Sequence, residues 1–220
     1  MIEYIVPGNI DDRLLSKTAK MLQEGGTLAI PTDTSWSIVC SIQSKEGVKR
    51  LKALSKERNE RNFTLICRDI SQFGEFCSLD NTRFRLIKRL TPGPYVFILK
   101  TLPGTEKALG LKRQEIGVRL PDYPVPLALV NALGCPLYGI TAKRSMTSNY
   151  EEDELHDYED EEKFYKEESL FDGGWELEDI NGLDLILDTG EDRNRILTTV
   201  LDISSGEVQV LREGAGSWPV

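Results

Sequence analysis

The sequence predicts an α/β fold, a mixed and partly parallel open sheet flanked by helices. Strand-like apolar runs alternate with amphipathic stretches through the first hundred residues, strands crowd the C-terminal part, and no period of 20–50 residues repeats. With 220 residues and 40% apolar content the chain can bury one sizeable core, so a single domain over residues 1–220 is the expectation.

The elements follow in order. Asp11 and Asp12 precede a stretch with Leu15, Ala19 and Leu22 on one helical face, and the Gly25-Gly26 pair supplies its end. Residues 27–30 read as a short strand and, beyond Pro31, residues 36–42 as a second. A helix begins near Ser44, with Val48, Leu51 and Leu54 at helical spacing. Residues 63–67 read as a buried strand and 81–90 as a basic amphipathic helix with Phe84 turned inward. Residues 95–99 read as a strand entered through the turn Thr91-Pro92-Gly93-Pro94. Further strands are expected at 116–120, 137–141, 183–187, 198–202 and 208–212.

Composition narrows the function classes. The chain has no run of 18 apolar residues, and its first residues, MIEYIVPGNIDDRLL, carry acids and a proline where a signal peptide needs a basic and then an apolar stretch. A cytoplasmic protein without membrane association is expected. Cys40, Cys67, Cys77 and Cys135 form no CxxC pair, and His156, the only histidine, lies in an acidic tract. No protein-bound metal site is predicted, and a Cys–His nucleophile is disfavoured; Cys40 and Cys67 read as small buried hydrophobes.

Net charge is −9, and all of it lies in residues 151–168, which hold 11 Asp/Glu and 2 Lys. The rest of the chain carries 25 charges of each sign. A neutral body with one acidic segment can still present a cationic cleft, so an anionic ligand is compatible with the acidic pI. Residues 148–172 read as an acidic insertion within the domain, mobile because dense like charges repel and few apolar residues are present. The segment LDLILDTG beyond it returns to core-like composition.

The candidate chemistry begins at Thr32, Asp33, Thr34 and Ser35, a polar cluster between two apolar strands that taken alone reads as turn chemistry. Residues 45–61 then hold seven basic and three acidic side chains. Some of these charges belong to a solvated helix end. Lys56 and Arg58 leave the helix just before an apolar strand, where open α/β folds place ligands. A lysine gives phosphate a mobile point charge, and an arginine gives it a planar fork.

GGTLAIPTDTSWSIVC followed by LKALSKERNERNFTLICRDIS resembles the opening of the YrdC/YciO family, in which a PTDT element precedes a Lys-x-Arg motif and a strand. RFRLIKRLTPGPYVFILK, IGVRLPDYP, TTVLDI and LREGAG continue the resemblance in order, over nearly the whole chain apart from the acidic segment. NFTLICRD and LTPGPYVFILK are closest to the YciO branch. The resemblance implies a YrdC-like twisted open mixed sheet with a cationic cavity. It also implies synthesis of threonylcarbamoyl-AMP and pyrophosphate from threonine, bicarbonate and ATP with Mg²⁺, linked to tRNA modification. Carried over by position, Thr32 and Thr34 would help hold the amino acid, and Lys56 and Arg58 would face phosphates or the carbamoyl group. Arg119 would add a cation, and Thr198 and Arg212 would lie along the nucleotide. The alternative is a non-catalytic nucleotide or double-stranded RNA (or tRNA) binding protein of the YciO branch, to which the basic helices at 45–61 and 81–90 would lend phosphate contacts.

The chain departs from the family pattern in two places. Active synthases carry Ser-x-Asn where this chain has Thr141 and Lys143, which the resemblance makes substrate-binding residues; the exchange replaces an amide, donor and acceptor, by a donor alone. Ser37 and Val39 stand where glycines are common, which implies a differently shaped cleft.

Overall fold

A computed structural model describes residues 1–55, 63–111, 113–149 and 169–219. The ten strands of the described residues form one sheet: β1 (Ile2–Tyr4), β2 (Leu28–Ile30), β3 (Ser37–Ser41), β4 (Thr64–Ile66), β5 (Tyr95–Lys100), β6 (Glu115–Arg119), β7 (Leu137–Thr141), β8 (Leu185–Asp188), β9 (Thr199–Asp202) and β10 (Gln209–Arg212). Their spatial order is β1-β8-β2-β3-β7-β4-β6-β5-β9-β10. Pairing is mixed: β8 lies parallel to β1 and β2, β4 to β6 and β5 to β9, while β3, β7 and β10 pair antiparallel with their neighbours. The predicted α/β class with a mixed open sheet is what the chain forms. Strands from both sides of the acidic tract enter the same sheet.

Among the described residues six α-helices accompany the sheet: α1 (Asp12–Gln23), α2 (Lys45–Ser55), α3 (Ile70–Gly74), α4 (Asn81–Leu90), α5 (Thr105–Ala108) and α6 (Pro124–Leu133). Asp11 caps α1 by accepting from Arg13 N at 2.7 Å and Leu14 N at 3.3 Å, an arrangement worth about 1 kcal/mol. Gly26 N donates to Met21 O at 2.9 Å, and Gly25 has φ +96°, so the glycine pair closes the helix as the sequence suggests. α2 packs on β3 through Gly47, where an added Cβ would stand 3.1 Å from the Cβ of Cys40. α6 was not predicted from IGVRLPDYP. Its prolines suggest a loop, yet Pro124 takes the first helical position, where a missing N–H costs nothing. On α4, Phe84 is 41% exposed rather than turned inward, because Ile87 and Leu90 occupy the buried face.

All four cysteines are free and buried. Burial pushes the Cys40 and Cys77 thiols up to about 12, so they behave as small hydrophobes. Within the acidic tract, Leu170 and Phe171 are buried; residues 150–168 lie outside the described residues. Among the described residues no helix is long and apolar enough to cross a membrane.

Candidate functional site

Strand alternation assigns the site to one face of the sheet. Val39 pairs with Gly139, Gly139 with Thr64, Thr64 with Gly117, Gly117 with Ile98 and Ile98 with Asp202. Residues paired across neighbouring strands point to the same face, so these six form one transverse row. The two glycines leave its centre without side chains. A Cβ on Gly117 would meet Thr64 Oγ1 and Val96 Cγ1 at 3.1 Å, and one on Gly139 would meet Val39 Cγ1 at 2.9 Å. Glycine in the interior of a strand marks a close approach of other groups.

Arg119 lies two residues beyond Gly117 on this face, and Thr141 two residues beyond Gly139 in the opposite direction. Arg119 pairs with Ile66 and Ile66 with Leu137, four residues before Thr141 on β7. The Arg119 and Thr141 rows are therefore separated by roughly 13 Å along the strands.

Arg119 is 6% exposed. Its Nη2 donates to Asp33 Oδ1 at 2.5 Å and to Thr34 Oγ1 at 2.9 Å. The other Asp33 oxygen accepts from Asp122 N at 3.1 Å. Thr32 Oγ1 donates to Ser35 O at 2.6 Å and accepts from Thr34 N at 3.2 Å, which fixes the turn presenting Thr34. Burial pulls the guanidinium below its ordinary value and Asp33 opposes that; arginine stays charged regardless. Its Nε is buried without a hydrogen-bond partner among the described residues. The turn hangs between β2 and β3 at the Thr141 end, so it and the arginine side chain reach toward each other across the face.

Thr198 and Arg212 form a second cluster at the Arg119 end. Arg212 donates through Nε to Thr198 O at 2.9 Å and through Nη2 to Thr198 Oγ1 at 2.8 Å. Val200 pairs with both Val96 and Arg212, which places Arg212 in the transverse row of Arg119, beyond β5 and β9. The segment after β10 is strapped to this end by Thr199 Oγ1 donating to Gly216 O at 2.5 Å and Tyr95 OH to Ser217 O at 3.0 Å.

Thr141 and Lys143 sit at the other end, where Ala142 N continues the ladder to Trp36 O at 2.9 Å. Lys56 and Arg58 lie outside the described residues; α2 ends at Ser55, and Phe63 begins the return of the chain with its ring stacked on Tyr138 at 5.2 Å. A cavity of about 260 Å³, with Gly117 and Ile98 in its lining, extends toward Glu115, Asp202, Gln209 and Leu211. Of the predicted site residues that are described, Thr198 and Arg212 lie at the Arg119 end and Thr141 and Lys143 at the other, while the turn carrying Thr32 and Thr34 starts from the Thr141 end and meets Arg119. Asp33, Thr64, Gly117 and Gly139 complete the surface. Glycines inside strand-like runs were the sequence signal for the last two, and their common face depends on register. Ser37 and Val39, paired with Thr141 and Gly139, are both buried.

Hydrogen bonds and ion pairs brace the segments on either side of β2 and β3. Trp36 Nε1 donates to Asp172 O at 3.0 Å; Glu176 accepts from the N–H groups of Asp172 and Gly173 at 2.9 and 3.1 Å and pairs with Arg144. Asp184 accepts from Thr27 N at 2.8 Å and pairs with Arg50 at 2.8 Å. Partial burial works against ionisation of both carboxyls, but these bonds outweigh it and hold each below the ordinary carboxylate range. A depressed folded value contributes stability that is present above the unfolded value, about 4, and is lost as pH falls through the folded one. The thermal midpoint should therefore drop as pH falls below about 5. Glu176→Gln/Asp184→Asn should be less stable at pH 7 and show a flatter profile; an unchanged slope by calorimetry would assign acid lability elsewhere.

Among the described residues, no group of three or more His, Cys, Asp or Glu is arranged to hold a metal ion. Residues 20–165 match the family model Sua5_yciO_yrdC, described as "Telomere recombination". The chain is 33% identical to the YciO protein of Escherichia coli over 214 residues, covering 97% of this chain and 95% of that protein. The crystal structure of E. coli YciO superposes with a TM-score of 0.80 at 31% identity, covering 100% and 98% of the two chains. A threonylcarbamoyl-AMP synthase of Vibrio vulnificus is 26% identical over 137 residues, 60% of this chain and 72% of that one. At 19% identity, P. abyssi Sua5 complexed with L-threonine shares the fold, with a TM-score of 0.78 over 97% of this chain and 57% of Sua5.

Proposed function

The chain belongs to the Sua5/YciO/YrdC family, and from that premise we propose that it is an ATP-dependent nucleotidyltransferase that makes threonylcarbamoyl-AMP or a closely related acyl-adenylate. The observation that carries this reading is the buried cluster of Arg119, Thr34 and Asp33, which offers a carboxylate a cation and a hydroxyl on one face of the sheet. A Sua5 with L-threonine bound has the same fold. The amino acid would take the Arg119–Thr34 end. ATP with Mg²⁺ as its counter-ion would be held by Lys56 and Arg58 with Thr198 and Arg212 along it, and Thr141 and Lys143 would contact the substrate.

The chemistry fits the side chains present. The amine of the amino acid adds to bicarbonate and water leaves, giving a carbamate. A carbamate oxygen then attacks the α-phosphorus of ATP, the bond to the β-phosphate oxygen breaks, and pyrophosphate departs. Charge builds on the non-bridging oxygens and on the leaving group, so fixed cations and alignment lower the barrier without a protein nucleophile. The test is pyrophosphate release from ATP. It should require bicarbonate and an amino acid together, and release that is absent with every amino acid tried would overturn the proposal.

The second reading is a protein that binds nucleotide or double-stranded RNA, tRNA included, without turnover. What favours it is α4, which exposes Arg85, Lys88, Arg89 and Phe84 on one helix. Lysines and arginines neutralise phosphates and release counter-ions, so such binding would weaken steeply with salt. RNA affinity that falls when these α4 residues are replaced, in a protein that releases no pyrophosphate, would select this reading.

A further inference from the structure

Asp33 stands at the Arg119 end in a way that the phosphate-handling role of the site does not use. It bonds Arg119 through one oxygen and the Asp122 N–H through the other, two of the roughly four lone-pair directions a carboxylate offers. Its side chain is 12% exposed against 7% for Arg119, so part of it remains reachable. Arg119 for its part keeps a buried Nε with no partner among the described residues. Arg119 and Asp33 together carry no net charge, and each has unused hydrogen-bonding capacity of opposite kind. A phosphate dianion placed there would meet the Asp33 carboxylate. A free α-amino acid, with its carboxylate and ammonium on the same carbon, matches the pair charge for charge.

We infer that Asp33 is a substrate-binding residue that takes the ammonium group of a free α-amino acid whose carboxylate is held by Arg119 and Thr34. This rests on the amino-acid reading above and extends it to a residue and to a class, the zwitterion. Before carbamate formation the ammonium must give up a proton. Asp33 orients the nitrogen while it is charged and releases it as the charge is lost, the proton passing to water or bicarbonate.

Calorimetric titration with L-threonine and with 2,3-dihydroxybutyrate, which puts a hydroxyl where threonine has the ammonium, tests this directly. The wild-type protein should bind threonine at least tenfold more tightly than the hydroxy acid, the size of one charge-assisted hydrogen bond. Asp33→Asn should reduce that preference to about twofold or less. Should Asp33→Asn fail to fold, Asp33→Glu keeps the ion pair, moves the carboxylate by one methylene and should cut the preference at least threefold. A wild-type preference near one overturns the inference, as does a preference that survives in the variant tested. Absence of any threonine binding by the wild-type protein would instead sink the amino-acid reading, and this inference with it.

Discussion

Arg119→Ala is expected to eliminate amino-acid binding and to cost about 3–5 kcal/mol of stability, the penalty for breaking a buried pair by removing one partner. The guanidinium is the larger, more buried member, and it satisfies both Asp33 and Thr34. Once it is gone, the Asp33 carboxyl is left with one N–H as its partner. Arg119→Ala/Asp33→Asn should therefore be more stable than Arg119→Ala alone, because no charge is then stranded. Urea titration of the single variants, the double variant and the wild type gives the coupling energy. A loss below about 1 kcal/mol for Arg119→Ala, the range of an exposed ion pair, would show that the pair is solvated and that Arg119 does not organise the turn.

The sequence carried the elements better than the surface they build. Strands at 137–141 and the helix at 81–90 coincide with the observed ones because alternation and helical spacing are local signals. α6 was hidden by Pro124 and Pro126, since a proline pair speaks for a loop unless the helix is known to start there. Arg119 and Thr34 were reachable only through resemblance. Their contact spans 85 residues of chain and depends on a sheet order, β3-β7-β4-β6, that no local pattern encodes. Asp33 illustrates the same limit from the other side: an aspartate between two strands is ordinary turn chemistry, and only the pairing of β4 with β6 brings Arg119 within its reach. Gly117 and Gly139 were visible as glycines inside strands, but that both face Thr64 follows from register alone.

Lys56→Ala and Arg58→Ala should each keep the fold and weaken ATP binding at least tenfold. The assignment rests on the family resemblance and on the course of the chain, which leaves α2 at Ser55 and returns to β4, whose Thr64 lies between Gly117 and Gly139 on the candidate face. Replacing an exposed lysine that touches no ligand changes stability by no more than about 0.5 kcal/mol. A cation that meets phosphate in a partly desolvated cleft contributes more, about 1.5–3 kcal/mol per charge-assisted hydrogen bond, which is one to two decades in Kd. Arg58→Lys should not restore wild-type affinity, because an ammonium cannot reproduce the planar two-oxygen grip of a guanidinium. Titrating ATP with Mg²⁺ calorimetrically into the three variants separates the cases. Full affinity in both alanine variants would remove Lys56 and Arg58 from the site and the nucleotidyl-transfer reading with them, whereas threonine binding at Arg119 is a separate measurement and would stand.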